Sequence, residues 1–224
     1  MPLRRVIVFS LFFPLFFISG CASQTAPENL FLDKQINKEE IGDSNSMVKK
    51  VVLIIAFKDF KDEEYFVTKE VLEKRGIEVE TASNQRGIAE GVEGGEVVIN
   101  KTLNDLEIDD YDGVVFIGGP GCLSHLDNEV AYGVVREAVN KGKILGAICI
   151  SPVILAKAGA LKGKKATVWS DGFNKEPIEI LQENEAVYQD KSVVADGQIV
   201  TANGPAAAEE FGRILVKLLT KEPK

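Results

Sequence analysis

Histidine is nearly missing from this chain: among 224 residues only His125 carries an imidazole. Any chemistry that moves protons at neutral pH therefore has one ordinary candidate for the task. Positive charge is short as well, with 26 lysines and arginines against 34 aspartates and glutamates, a net charge of -8 and a pI of about 4.9. No basic patch stands out, which excludes the electrostatic footprint of a nucleic-acid binder. Internal repeats and low-complexity tracts are lacking. The apolar run at 6–18 is short for a membrane-crossing helix and carries Pro14. What the chain does have is apolar material, 45% of its residues. That suffices for one full-sized core and excludes a disordered protein.

The opening MPLRRVIVFSLFFPLFFISGC places Arg4 and Arg5 before the apolar run, the layout of a secretory signal. Ile18-Ser19-Gly20-Cys21 resembles a bacterial lipobox, in which the cysteine after the cleavage point receives lipid. Residues 1–20 then form a lipoprotein signal peptide. Residues 21–48, polar and without periodicity, form a tether behind the lipidated Cys21, and 49–220 form the folded domain. Removing 1–20 takes away two arginines and no acid, so the lipid itself has to supply the membrane attachment. The expected location is the bacterial cell envelope. Ala22, standing where an aspartate would resemble an inner-membrane retention signal, favours the outer membrane on its periplasmic side. Of the three cysteines, the folded part keeps Cys122 and Cys149, in a compartment where disulfides form.

Residues 51–56 (VVLIIA) read as a strand buried on both faces. The helical spacing at 64–75 ends at Gly76, and 77–82 reads as the next strand, completing a right-handed strand-helix-strand unit. The segment 87–100 is a hairpin excursion. Strands follow at 114–117, 144–148, 165–169, 192–195 and 198–202, and helices at 130–140, 151–158 and 206–219. The alternation predicts a three-layer, doubly wound α/β fold, flavodoxin-like, with a mostly parallel sheet, helices on both faces and a ligand site at the strands' carboxyl edge.

At that edge stands GAICISP, residues 146–152. Ala147 and Ser151 flank Cys149 at two positions on each side. Small-x-nucleophile-x-small is what a sharp strand-to-helix elbow requires, because the tight bend brings the flanking side chains together. Pro152 suits the first turn of the helix that follows. The sulfur then faces a helix N-terminus, which favours thiolate over thiol.

The block GAICISPVILAKAGALKGKKAT is similar to the nucleophile elbow of the ThiJ/PfpI family, also called DJ-1/PfpI, within the class I glutamine amidotransferase-like superfamily. The stretches VVLIIAFKDFKDEEYFVTKEVLEKRGIEVETAS, YDGVVFIGGPG and DGQIVTANGPAAAEEFG resemble its opening unit, glycine loop and closing segment. The resemblance implies an acidic partner for the cysteine on the first helix: Glu64, with Glu63 as the alternative. Either acid also suits a helix's first turn on electrostatic grounds alone. Gly118 and Gly119 resemble the family's loop glycines, and the amides of Gly119 and Ile150 form an expected oxyanion hole. No metal or organic cofactor is implied. The partner is a small-molecule electrophile or a peptide, and the family's habit of dimerising makes a homodimer an expectation.

The resemblance departs at two places. Protease-like members carry histidine directly after the cysteine, where this chain has Ile150; glyoxalase-like and deglycase-like members often carry one near the position of Trp169. His125, in GGPGCLSHLDN, is the accessory base that remains, and Cys122 on the same loop is either a redox partner for Cys149 or a small core hydrophobe. Two functions follow: a cysteine-dependent hydrolase, glyoxalase or deglycase-type activity on carbonyl, glycated or peptide-like electrophiles in stress protection, or a non-catalytic redox-sensing or chaperone-like envelope lipoprotein.

Overall fold

The computed structural model describes Pro14 and residues 48–221. The rest of the signal peptide, Cys21 and the tether up to Met47 lie outside the described residues.

Strand β1 (Lys50–Ile55) is aliphatic after its first lysine and buried along that whole length, so it has to be covered on both faces. It lies inside a sheet with β2 (Glu78–Ser83), β3 (Lys101–Thr102), β4 (Gly113–Phe116), β5 (Ile144–Ile148), β6 (Val193–Asp196) and β7 (Ile199–Ala202). The order is β6-β7-β5-β4-β1-β2-β3. All neighbours are parallel except β6 and β7, which form an antiparallel hairpin at one edge.

Alternate strand residues feed two cores. Val52, Ile54, Val114, Phe116, Leu145 and Ala147 pack with α3 (Glu129–Asn140), α4 (Pro152–Lys157) and α5 (Glu176–Glu183). Val51, Leu53, Ile55, Val115 and Ile148 pack with α1 (Asp62–Glu73) and α6 (Ala208–Leu219). This is the expected three-layer, doubly wound arrangement. From β1 the chain winds outward to β2 and β3, and only later to β4 and β5 on the opposite side. A crevice therefore opens where the carboxyl ends of β1 and β4 diverge, the place where such sheets hold their ligands.

The hairpin at 87–100 is present as Gly87–Gly91 paired antiparallel with Glu96–Ile99, and a short strand, Lys58–Phe60, adds to it. Its tip is fastened to the first turn of α1. The Asp62 carboxylate accepts the amides of Glu93 at 2.8 Å and Gly95 at 2.6 Å, and Gly95 has no Cβ to collide with it.

Several boundaries differ from the sequence reading. Helix α1 starts two residues earlier, because the acids at 62–64 fill its first turn. The 165–169 strand shrinks to Lys165–Ala166, which pairs in parallel with Val187–Tyr188 outside the main sheet. Beyond it the chain turns toward the elbow, with the Thr167 amide donating to Thr201 Oγ1 at 2.9 Å. The loop after Gly119 contains a short helix, α2 (Gly121–Leu126). Helix α5 lies in a stretch to which periodicity assigned no element.

Candidate active site

Cys149 follows β5 directly and sits at φ +65°, the left-handed region a non-glycine residue adopts only when its surroundings enforce it. Here they do. The Cys149 amide donates to Ala202 O at 2.8 Å, and its carbonyl accepts the Trp169 amide at 2.7 Å. Ser151, expected only to be small, contributes more: its Oγ accepts the Ile148 amide at 3.0 Å and shares its own proton between Ile148 O at 2.8 Å and Phe116 O at 2.9 Å. One hydroxyl thus ties the elbow to the end of β4.

The loop after β4 approaches from the other side. A Cβ on Gly118 would lie 2.6 Å from Cys149 Cβ and 2.8 Å from Glu64 Oε2, so only glycine fits between the two acids. Gly119, at φ +117°, lies against the 59–61 backbone; a Cβ there would sit 2.5 Å from both Asp59 O and Lys61 N. The Gly119 and Ile150 amides lie beside Cys149 and favour the charged form of its sulfur. The Gly118 amide is otherwise engaged, donating to Glu64 Oε2 at 3.0 Å.

Of the two candidate acids, Glu64 faces the site and is fully buried, whereas Glu63 is exposed. Burial pushes the Glu64 carboxyl up from 4.5 to about 7, against its hydrogen bond with Cys149 and the Gly118 amide, which lower it. Burial also pushes the Cys149 thiol up, followed by the charge of Glu64 and the hydrogen bond to it; the two amides oppose this. Desolvation thus opposes the downward pull expected from the helix terminus. The two groups titrate as a pair, and the first proton leaves near neutrality to give one negative charge shared with one remaining proton. Glu64 Oε1 is buried with no partner. An ionised carboxylate with an unmet oxygen is costly in an apolar site, which favours leaving that proton on Glu64 and the charge on sulfur.

The pair lies at the wall of a cleft of about 450 Å³, lined by Lys61, Gly119, Pro120, Leu123, Ile150, Trp169 and Pro205 as well. His125 is not among these residues. It lies in the last turn of α2 and lines a separate groove with Asn84, Thr102 and Asn128. The sequence reading made it an accessory base; the helical turn after Gly121 carries the imidazole to the other groove instead. Cys122 is fully buried in the core under α3 and α4, whereas Cys149 packs against the opposite core, and both thiols are free. Burial pushes the Cys122 thiol well up, so it behaves as a core hydrophobe. Sequence reasoning missed Lys61, which lies three residues before Glu64 and shares the cleft with it.

Comparison with known proteins bears on the family and the fold. The DJ-1/PfpI family model matches residues 49–218. An uncharacterized protein of Methanocaldococcus jannaschii is 42% identical over 173 residues, 77% of this chain and 83% of its own. The deglycase PfpI of Pyrococcus furiosus is 32% identical over 168 residues, 75% of this chain and 98% of its own. The crystal structure of a ThiJ/PfpI domain protein from Brachyspira murdochii superposes with a TM-score of 0.74 at 28% identity, covering 79% of this chain and 99% of that one.

Proposed function

The chain belongs to the DJ-1/PfpI family, and from that premise we propose that it is a cysteine-dependent enzyme acting on small carbonyl or glycated electrophiles, of the deglycase or glyoxalase type. The observation that carries this reading is the convergence on one sulfur of a buried carboxyl and two backbone amides, at an enforced left-handed bend beside an apolar cleft. That Pyrococcus furiosus carries a relative named a deglycase adds support.

The residues allow a balanced first step. The Cys149 thiolate attacks the carbonyl carbon, an S–C bond forms and the C=O π pair moves to oxygen. The amides of Gly119 and Ile150, which lie beside the sulfur in the resting site, donate to the developing oxyanion. Glu64 gives its proton to that oxygen, leaving a neutral hemithioacetal and a carboxylate. The carboxylate is then the base for the next transfer, so Glu64 takes over the proton handling that a histidine performs elsewhere in the family. As the lipobox leads us to expect, the domain would work in the bacterial envelope on a lipid tether at Cys21.

One observation favours a second reading: the residues lining the cleft include no imidazole. In a non-catalytic redox sensor, peroxide would oxidise the Cys149 thiolate to a sulfenic and then a sulfinic acid, with Glu64 hydrogen-bonded to the product. Turnover of methylglyoxal or of a glycated thiol by the purified protein, lost in Cys149→Ser and cut at least tenfold in Glu64→Gln, supports the enzyme. No turnover in the parent protein, together with stoichiometric oxidation of Cys149 by mild peroxide, rejects the enzyme in favour of the sensor.

A further inference from the structure

Among the described residues, one lysine lines the cleft. Lys61 is fixed beside the reacting centre by its backbone: its amide donates to Gly118 O at 3.1 Å, and Gly119 packs directly on its nitrogen. The side chain lines the cleft among Pro120, Leu123, Ile150, Trp169 and Pro205. Its ammonium pairs with Glu93 at the hairpin tip, which Asp62 holds in place. Its charge also reaches Glu64, whose carboxyl it lowers.

We infer that Lys61 is a specificity residue that receives an anionic group, a carboxylate on the electrophile, and exchanges its ion pair with Glu93 for one with the substrate. A lysine on the wall of an apolar cleft, its ammonium paired with a carboxylate on a separate segment that does not line the cleft, is placed to turn that ammonium toward an incoming anion. The hydrogen bond that Lys61 donates to Glu93 raises the Lys61 pKa, which keeps the amine protonated and unsuited to act as a nucleophile or base. The preferred substrate is therefore a short oxo acid or carboxylate-bearing aldehyde with an apolar body.

This rests on the cysteine chemistry proposed above, but selectivity can be read without turnover. Iodoacetate and iodoacetamide alkylate the same thiolate, each forming an S–C bond and releasing iodide, and they differ in charge. Because both rates depend equally on the ionisation of Cys149, their ratio cancels any effect of Lys61 on the pair. The ratio of iodoacetate to iodoacetamide rates at Cys149, measured on the purified protein, is expected to fall about tenfold in Lys61→Met. It should be retained in Lys61→Arg, rise in Glu93→Gln, and shrink with added salt. A ratio unchanged within about twofold in Lys61→Met overturns the assignment, and an unchanged or lower ratio in Glu93→Gln overturns the exchange.

If neither reagent modifies Cys149 in the parent protein, the cysteine chemistry fails and Lys61 is judged by binding alone. Trp169, the chain's single tryptophan, lines the same cleft and reports on it. A saturable fluorescence change with acetate, missing with acetamide and lost in Lys61→Met, supports the anion site. Its absence from the parent protein rejects it.

Discussion

Glu64 should weaken the protein as the pH rises, and replacing it should strengthen the fold above neutrality. In the unfolded chain the carboxyl ionises near 4.5; in the folded protein burial makes the Glu64–Cys149 pair keep both its protons up to about 7. Between these values the native state binds the extra proton, so stability falls as pH rises through the window. The difference corresponds to about 3 kcal/mol, lost by the time the pH passes 7. Glu64→Gln keeps the shape, cannot ionise and lacks this slope. Other shifted carboxyls act elsewhere: Asp105, held to about 2 by its bonds with Thr102, loses its contribution only at acid pH. Subtracting the variant's urea-unfolding free energy from the parent's at pH 4.5, 5.5, 6.5 and 8 isolates Glu64. The difference should decline by about 3 kcal/mol across the series, leaving the variant the more stable protein at pH 8. A flat difference, or one that grows in the parent's favour, would falsify the claim that this carboxyl is kept neutral by burial.

Alkylation of Cys149 in the parent protein should rise with a midpoint near pH 7, where the pair releases its first proton. In Glu64→Gln the midpoint should move above roughly 8.5, the ordinary thiol value, because burial then acts on the sulfur alone; an unmoved midpoint would show that the two groups do not share a proton. Gly118→Ala should destabilise the protein by about 1–3 kcal/mol and abolish Cys149 reactivity, since the added methyl collides with Cys149 Cβ and the Glu64 carboxyl and forces them apart. Normal reactivity in that variant would contradict the close approach. Ser151→Ala, which strips the elbow of its bond to Phe116 O, should cost about 1–3 kcal/mol in urea unfolding. Mass spectrometry after mild peroxide should find Cys149 oxidised before Cys122, whose thiol is fully buried; the reverse order would move the reactive centre.

The central strands of the sheet were legible because they are buried on both faces, which forces near-continuous aliphatic runs such as 51–55 and makes them stand out, whereas the half-exposed edge strand at 101–102 carries no such run and was missed. The elbow was legible because a bend this tight restricts both flanking positions to small residues. Choosing Glu64 over Glu63 needed the family resemblance, since the two carboxylates differ only in which side of α1 they occupy. His125 misled because α2 is too short for periodicity to reveal, and a single turn of helix decides which groove an imidazole enters. The role of Ser151 was half visible: its size follows from the pattern, but its partner Phe116 lies 35 residues away. Lys61 was invisible for the same kind of reason, because the cleft that gives its charge a meaning is assembled from segments as distant as Pro205.

The bend at position 149 is held by main-chain bonds to Ala202 and Trp169, neither of which involves the side chain it displays. The scaffold and its reagent are therefore separable. A version of this domain that has lost its sulfur should still present the same cavity, closed at the back by the same amides, and so remain usable as a receptor for whatever the working enzyme once transformed.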